Sequence, residues 1–252
     1  MKAMILAAGR GIRLKPLTDN CPKALITVAG ESLLSHVLKK LKEAGVQDVI
    51  INVHHHAQMI INYLQDNKPA DLNIEVSNES TLLDTGGGLK KAAWFFTNDH
   101  APFILHNVDV ISGINLTEMM KCHIDKKNLV TLAVKKREAS RYLLFDTNDS
   151  LVGRQSLTKQ VTEMARMTKI RSEAYSFLGI HILSPAIFRY LPKEKCFSII
   201  SAYLKMAQQT EAIRAYKCQD DYWFDAGKKN NLAQAAAYLN TLERIEENKE
   251  NE

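Results

Sequence analysis

Apolar positions change period several times along this chain, and the changes mark its elements. Residues 4–8 form a continuous apolar run that breaks at Gly9-Arg10-Gly11, which predicts a short buried strand running into a turn. Over residues 32–44 the period becomes helical. Leu33, Val37 and Leu41 repeat at i+4, as do Leu34 and Leu38, with Ser32 as N-cap and Gly45 as the stop. Residues 49–53 predict a buried strand, 57–65 a helix, 74–76 a strand, 88–96 a helix and 103–105 a strand. Strands alternating with helices of this length predict βαβ units, a parallel sheet and helices on both of its faces.

The second half has a different texture. Residues 129–134 and 142–146 predict strands joined through the charged turn Lys135-Lys136-Arg137-Glu138, and 151–153 a further short strand. Residues 154–174 are polar, with little periodicity and several cations (Arg154, Lys159, Arg166, Lys169, Arg171). They predict a mobile loop or lid rather than a regular element, with a hairpin as the alternative. Residues 175–183 predict a strand, Pro185 opens a short helix, 198–208 are helical, 212–217 extended, and a closing helix runs from 230 to about 245. No internal repeat, low-complexity tract or Pro-rich linker interrupts the chain, so a single domain over 1–240 with a frayed, charged tail at 241–252 is expected.

Composition narrows the class of protein. With 252 residues, 46% hydrophobic and 24% charged, the chain has the make-up of a soluble globular domain able to bury a full core. No apolar run approaches the ~18 residues of a membrane span. Met1-Lys2-Ala3 leads straight into the first strand without a signal peptide, so a cytoplasmic protein is expected. Cys21, Cys122, Cys196 and Cys218 are scattered without a CxxC pair, and are expected to be buried thiols rather than disulfides or zinc ligands. The formal net charge is +5, yet residues 243–252 carry five acids and two bases, which leaves +8 on the rest. A basic body suits an anionic substrate. Nucleic acid is disfavoured, because no Lys/Arg block is interleaved with aromatics.

The chemistry starts at the first turn. A strand, small residues that let backbone N–H groups approach a ligand, and the nearby cations Arg13 and Lys23 together make a phosphate cradle. It is not a Walker loop, since no G-x-x-x-x-G-K-[ST] is present. It is not the dinucleotide fingerprint either, since Leu14 stands where the third glycine belongs, and this disfavours a Rossmann oxidoreductase. His54-His55-His56 is not read as a metal site: adjacent residues point in different directions and no HExxH spacing exists. His106 lies beside the proposed site.

The pattern L-A-A-G-x-G-x-R-L-x-P-L-T over residues 6–18, followed by Pro22-Lys23, resembles the signature of the sugar-1-phosphate nucleotidyltransferases. That resemblance, which extends to about residue 238, implies an α/β fold, a Rossmann-like three-layer sandwich with a mostly parallel central sheet. It implies a nucleotide-binding half over about 1–125 and a sugar-binding half over about 126–240. It implies transfer of a nucleotidyl group from an NTP to a sugar 1-phosphate, giving an NDP-sugar and pyrophosphate, with Mg²⁺ as cofactor. The chain looks like the short form and most resembles the N-acetylmuramate 1-phosphate uridylyltransferase and mannose-1-phosphate guanylyltransferase groups. A phosphocholine-type cytidylyltransferase and a non-catalytic nucleotide-binding regulatory module are the alternatives; Ile12 and Val108, which depart from the family pattern, motivate the second.

Residue by residue, the resemblance places Leu6, Ala7, Ala8, Gly9 and Gly11 around the nucleotide, with Arg13 and Lys23 on its phosphates. In Glu79-Ser-Thr-Leu-Leu-Asp-Thr-Gly-Gly-Gly88, Glu79 matches the position that reads the base edge, and Thr85, Gly86 and Gly87 the segment passing over the base. A carboxylate there accepts a ring N–H, which favours UTP, dTTP or GTP. Asn107-Val108-Asp109 resembles N-G-D, whose Asp holds Mg²⁺, and Tyr222-Trp-Phe-Asp-Ala-Gly227 resembles W-x-D-x-G, which makes Asp225 the second metal ligand. Gly179 and Gly153 match sugar contacts, while the Glu-Lys-Pro triplet of longer relatives is absent from 154–174.

Overall fold

The computed structural model describes residues 1–96, 100–166, 171–209, 212–219 and 222–250, with side chains as far as 245. The first half runs β1 (Lys2–Leu6), β2 (Thr27–Val28), β3 (Glu31–Ser32), α1 (Leu33–Glu43), β4 (Asp48–Val53), α2 (Ala57–Asn67), β5 (Asn73–Asn78), α3 (Asp84–Lys91), β6 (Phe103–Asn107), β7 (Val110–Ser112) and α4 (Leu116–Asp125). The second runs β8 (Val130–Lys135), β9 (Arg141–Phe145), β10 (Leu151–Ser156), β11 (Val161–Met164), β12 (Glu173–Leu183), α5 (Ile199–Gln208), β13 (Ile213–Lys217), β14 (Trp223–Asp225) and α6 (Lys229–Glu250).

One large sheet carries the order β11-β10-β9-β12-β6-β1-β4-β5, with β8 between β12 and β13. The sheet is mixed rather than mostly parallel. β6, β1, β4 and β5 pair in parallel, as do β8 and β13, whereas β12 runs antiparallel to β6, β8 and β9. The first half joins its strands through helices, which permits parallel pairing; β9, β10 and β11 are joined by tight turns, which forces antiparallel pairing.

Three layers result. Ala3, Ile5, Val49 and Ile51 point to one face, where they bury Leu34, Leu38 and Leu41 of α1, Ile60 of α2 and Met119 of α4. Met4, Ile50 and Leu105 point to the other, against Leu89 of α3 and Ala202, Tyr203 and Met206 of α5. This is the period-2 alternation that lets helices cover both faces of one sheet. α1 begins as its sequence predicts, with Ser32 Oγ accepting the Ser35 N–H at 3.0 Å, and Gly45 takes positive φ after its end.

Several expectations change. Residues 154–164 are not an irregular loop. β10 continues to Ser156 and pairs with β11 as an antiparallel hairpin, with Gly153 opposite Met164; Lys169 lies outside the described residues. α6 continues into the charged tail as far as Glu250. Of the cysteines, only Cys218 is buried; Cys21 and Cys122 are half-buried and Cys196 is exposed.

The helix expected over 88–96 starts earlier, at Asp84, and takes in all three glycines. A Cβ on Gly86 would lie 2.2 Å from Phe197 Cε2, and one on Gly87 2.1 Å from the Lys195 carbonyl oxygen. These glycines let the segment before α5 press onto α3. Gly87→Ala is therefore expected to destabilise the fold by about 1–3 kcal/mol, the usual cost of overpacking, read as a lowered urea midpoint.

Candidate active site

The carboxyl ends of β1, β4, β5 and β6 share one edge of the sheet, the edge at which open α/β sheets bind ligands. β1 ends at Leu6, and the chain passes Ala7, Ala8 and Gly9 into a left-handed residue, Gly11. A Cβ on Gly11 would sit 2.8 Å from Thr18 Cγ2 and 3.2 Å from Lys23 Cβ, so only glycine fits. Thr18 Oγ1 donates to the Gly11 carbonyl at 2.9 Å and closes the turn. The 3₁₀ turn that follows, Ile12–Leu14, buries Leu14 and turns Arg13 and Ile12 outward.

Asp109 and Asp225 meet at the mouth of this turn. β7 and β14 are antiparallel with Asp225 opposite Val110, and Ala226 N–H donates to the Asp109 carbonyl at 2.8 Å. Lys23 Nζ donates to Asp109 Oδ2 at 2.8 Å, while Arg13 lies 3.5 Å from Asp225 Oδ2 and 3.9 Å from Asp109 Oδ2. A Cβ on Gly227 would lie 2.6 Å from Asp109 Oδ2, 2.7 Å from Arg13 Nη2 and 2.9 Å from Asp225 Oδ1. Glycine there leaves room for both carboxylates and the guanidinium to converge. Burial of Asp109 works to raise its pKa, but the charge and hydrogen bond of Lys23, a backbone hydrogen bond and Arg13 outweigh it and hold the carboxyl below the ordinary range.

Val108 sits without strain: it is fully buried, its backbone is outside the left-handed region, and its N–H donates to Leu6 O at 3.2 Å. Asn107 faces Gly179, whose positive φ requires glycine and whose Cβ would come 2.9 Å from Asn107 Nδ2.

The other residues matched in the sequence have partners within the chain. Glu79 presents no free carboxylate edge. It is 2% exposed, Oε1 accepts from Asn52 Nδ2 at 2.7 Å and Oε2 from the Leu83 N–H at 3.1 Å. Thr85, Gly86 and Gly87 bind the chain itself: Gly86 and Gly87 donate to the Phe197 carbonyl at 2.9 and 3.3 Å, and Thr85 Oγ1 accepts from the Ile199 N–H at 3.0 Å. Gly153 adjoins a register shift in β10, and a Cβ there would meet the Glu163 carbonyl at 2.7 Å. It therefore packs the hairpin. His106 is buried, with Nδ1 2.8 Å from the Asn107 carbonyl oxygen.

Two residues at the site are not marked by any motif in the sequence. Arg137, part of the charged turn after β8, lies over the Trp223 ring at 4.1 Å. Its pKa is pulled down by burial and drawn back up by Asp225 and Tyr142. Asn52 is a polar residue inside an apolar strand, and its Oδ1 accepts the Ala7 N–H at 2.8 Å. Beside the glycine turn, Arg10, Ile12, Lys15, His54 and His55 line a cavity of about 450 Å³.

The donor chemistry fits a hard divalent cation. Two carboxylates converge on one point, and no cluster of three or more His, Cys, Asp or Glu side chains suited to a metal occurs among the described residues. Phosphate oxygens and water would supply the remaining ligands.

A mixed sheet under two helical layers, with a glycine turn, two cations and two converging aspartates at its carboxyl edge, defines a class of phosphate-handling α/β proteins. The chain belongs to the nucleotidyl transferase family, whose model matches residues 2–241. It is 28% identical over 248 residues to the UTP–glucose-1-phosphate uridylyltransferase of Synechocystis sp., a match covering 93% of this chain and 62% of the relative. It is 28% identical over 249 residues to the mannose-1-phosphate guanyltransferase of Yarrowia lipolytica, covering 97% and 66%. The chain thus spans a little under two thirds of the length of these relatives. The fold is shared with HddC from Yersinia pseudotuberculosis complexed with GMP-PN (TM-score 0.74, 20% identity, 94% of this chain and 99% of that one). It is also shared with UTP-bound UGPase from Acinetobacter baumannii (TM-score 0.76, 17% identity, 94% and 92%). No helix among the described residues is long and apolar enough to cross a membrane.

Proposed function

We propose that this protein joins an NTP to a sugar 1-phosphate, giving an NDP-sugar and pyrophosphate. The observation that carries the reading is the meeting of Asp109, Asp225, Arg13 and Lys23 at the glycine turn. A phosphate oxygen of the sugar phosphate forms a bond to the α-phosphorus as the bond to the bridging oxygen of pyrophosphate breaks, in line with it. The nucleophile is already an anion, so no general base is required, and the residues act by positioning and charge neutralisation.

In this reading Arg13, exposed at the mouth, holds the β- and γ-phosphates, and Lys23 faces the phosphates that flank the reacting centre. Backbone N–H groups of the turn past Leu6, at Ala8, Gly9 and Gly11, line the triphosphate, Asn107 lies toward the nucleotide and Gly179 toward the sugar. Asp109 and Asp225 would hold Mg²⁺, which when bound supplies Lewis-acid neutralisation of phosphate charge. Arg137, braced on Trp223 near Asp225, is the cation on the sugar side. The activities of the two relatives support a UTP- or GTP-type nucleotide and a hexose 1-phosphate. The unstrained backbone at Val108 removes one of the two motives for a non-catalytic module.

The test is a grid of the common NTPs against a panel of sugar 1-phosphates with Mg²⁺, with pyrophosphate and NDP-sugar both quantified. The expected result is equimolar appearance of the two products for one nucleotide–sugar pair, with UTP, dTTP or GTP as donor. Pyrophosphate without NDP-sugar, or neither product across the grid, contradicts the reading.

A further inference from the structure

We infer that Asn52 and Glu79 form a buried positioning pair that sets the spacing between the glycine turn and the start of α3, and so shapes the nucleotide cleft from behind. The effect on nucleotide binding rests on the reading above, whereas the pair itself rests on geometry alone. Ala7, the first residue past β1, donates its N–H to Asn52 Oδ1 at 2.8 Å. Asn52 Nδ2 donates to Glu79 Oε1 at 2.7 Å, and Glu79 Oε2 accepts the Leu83 N–H at 3.1 Å, one residue before α3. The chain of bonds therefore crosses from the loop after β1, through β4, to the loop after β5. Asn52 is 3% and Glu79 2% exposed, so water does not compete for these atoms. The Glu79 main chain takes part in two further ties, its N–H to Val53 O at 2.8 Å and its carbonyl oxygen 2.8 Å from the His54 side-chain Nδ1.

Gly88 completes the arrangement. A Cβ there would lie 2.6 Å from Asn52 Nδ2 and 2.8 Å from Glu79 Oε1. The third glycine of the triplet is thus a seat for the pair. The three bonds fix the orientation of the amide. The Asn52 oxygen must face Ala7 and its nitrogen Glu79, because Glu79 needs two incoming donors. A half-satisfied buried network costs more than none, so the pair tolerates change only when both members change together.

That property gives a sharp test. In Glu79→Gln one oxygen must serve two donors, which leaves N–H facing N–H. In Asn52→Asp two carboxylate oxygens face each other. The double variant Asn52→Asp/Glu79→Gln restores all three bonds with the wild-type charge. The introduced carboxylate accepts from Ala7 and from the introduced amide, whose oxygen in turn accepts from Leu83.

Steady-state kinetics with the productive NTP and sugar phosphate, and amide exchange at Ala7 and Leu83, are measured for the four proteins. Each single variant is expected to raise the nucleotide KM roughly tenfold or more, with the sugar-phosphate KM little changed, and the double to return within about threefold of wild type. The nucleotide ranking of the double stays that of wild type. A double as impaired as the singles overturns the inference, as do singles that lose thermal stability with an unchanged nucleotide KM. A ranking altered in both proteins that carry Glu79→Gln makes Glu79 the base reader and also overturns it. If a single variant does not fold, recovery of a folded, nucleotide-binding double supports the pair, and a double that also fails to fold rejects it. A wild-type protein inactive across the grid would overturn the functional reading alone. Amide exchange then still decides: protection lost in the singles and regained in the double supports the pair, and equal exchange in all four rejects it.

Discussion

Asp109→Asn is expected to lower turnover by on the order of 10²-fold or more, the loss typical when a preorganised electrostatic group at the reacting centre is removed. Asp109 is the most enclosed charge of the site, and it carries Lys23 at 2.8 Å and Arg13 at 3.9 Å. Asparagine keeps the shape and an oxygen for Lys23 but removes the negative charge. The site then has two cations, only Asp225 to offset them, and one carboxylate fewer for a divalent ion. The expected signature is therefore a collapse of kcat with a melting temperature close to wild type. The measurement is pyrophosphate release under saturating substrates. Near-normal turnover refutes the role given to Asp109.

The second large effect is acid destabilisation that sets in well above the carboxylate range. Burial pushes His106 and His123 down to about 4 and His181 down to about 3. The Asn107 carbonyl and Asp109 pull His106 partly back up, Lys40 pushes it further down, and His106 itself bears on His181. His181 Nδ1 lies 2.9 Å from the Tyr203 hydroxyl, and His123 lies between Thr131 Oγ1 and Ser184 Oγ at 2.9 and 3.0 Å. The unfolded chain binds these protons near pH 6.5 and the folded chain does not. Stability is therefore fully present above pH 6.5 and drains away as pH falls toward 4. One pKa unit corresponds to about 1.36 kcal/mol, so His106 alone forfeits about 3 kcal/mol by pH 4. That is a large part of a typical folding free energy of roughly 5–15 kcal/mol. Urea midpoints recorded from pH 7.5 to 4.5 should fall steadily below pH 6.5. A flat profile down to pH 5 contradicts the burial of these histidines as neutral groups.

Much of the first half is legible in the sequence because local rules decide it. The helical stripe at Leu33, Val37 and Leu41 and the cap at Ser32 need no distant partner, and α1 forms where they predict. The glycine turn is legible for the same reason, since Gly11 answers a positive φ and the crowding of Thr18 and Lys23. The start of α3 is hidden. Three glycines in a row read as loop by propensity, and only the press of Lys195 and Phe197 from far along the chain makes them helical. β11 escapes because Val161, Thr162, Glu163 and Met164 are all exposed and leave no alternation to find. Parallel pairing is over-extended in a linear reading because strand spacing does not tell a crossover from a short turn.

At the site, the pattern over residues 6–23 and the two aspartates are the parts a linear reading reaches, and the structure brings these together. Arg137 depends on Trp223, far along the chain, and nothing near it in sequence marks that stacking. Asn52 does leave a signal. A polar side chain flanked by Ile51 and Val53 in a buried strand needs buried partners, and its partners lie in two other loops. Glu79 matches a base-reading position in the linear pattern, and in the fold its carboxylate accepts from Asn52 and from the Leu83 N–H.

The proposed reaction would place a divalent ion between Asp109, Asp225 and a bound nucleoside triphosphate. Electron paramagnetic resonance of Mn²⁺, titrated into the protein with and without a non-hydrolysable NTP, reads that sharing without any turnover. Tight Mn²⁺ binding should appear with the nucleotide and be lost in both Asp109→Asn and Asp225→Asn. Nucleotide-dependent Mn²⁺ binding that survives in either variant would contradict the shared ion.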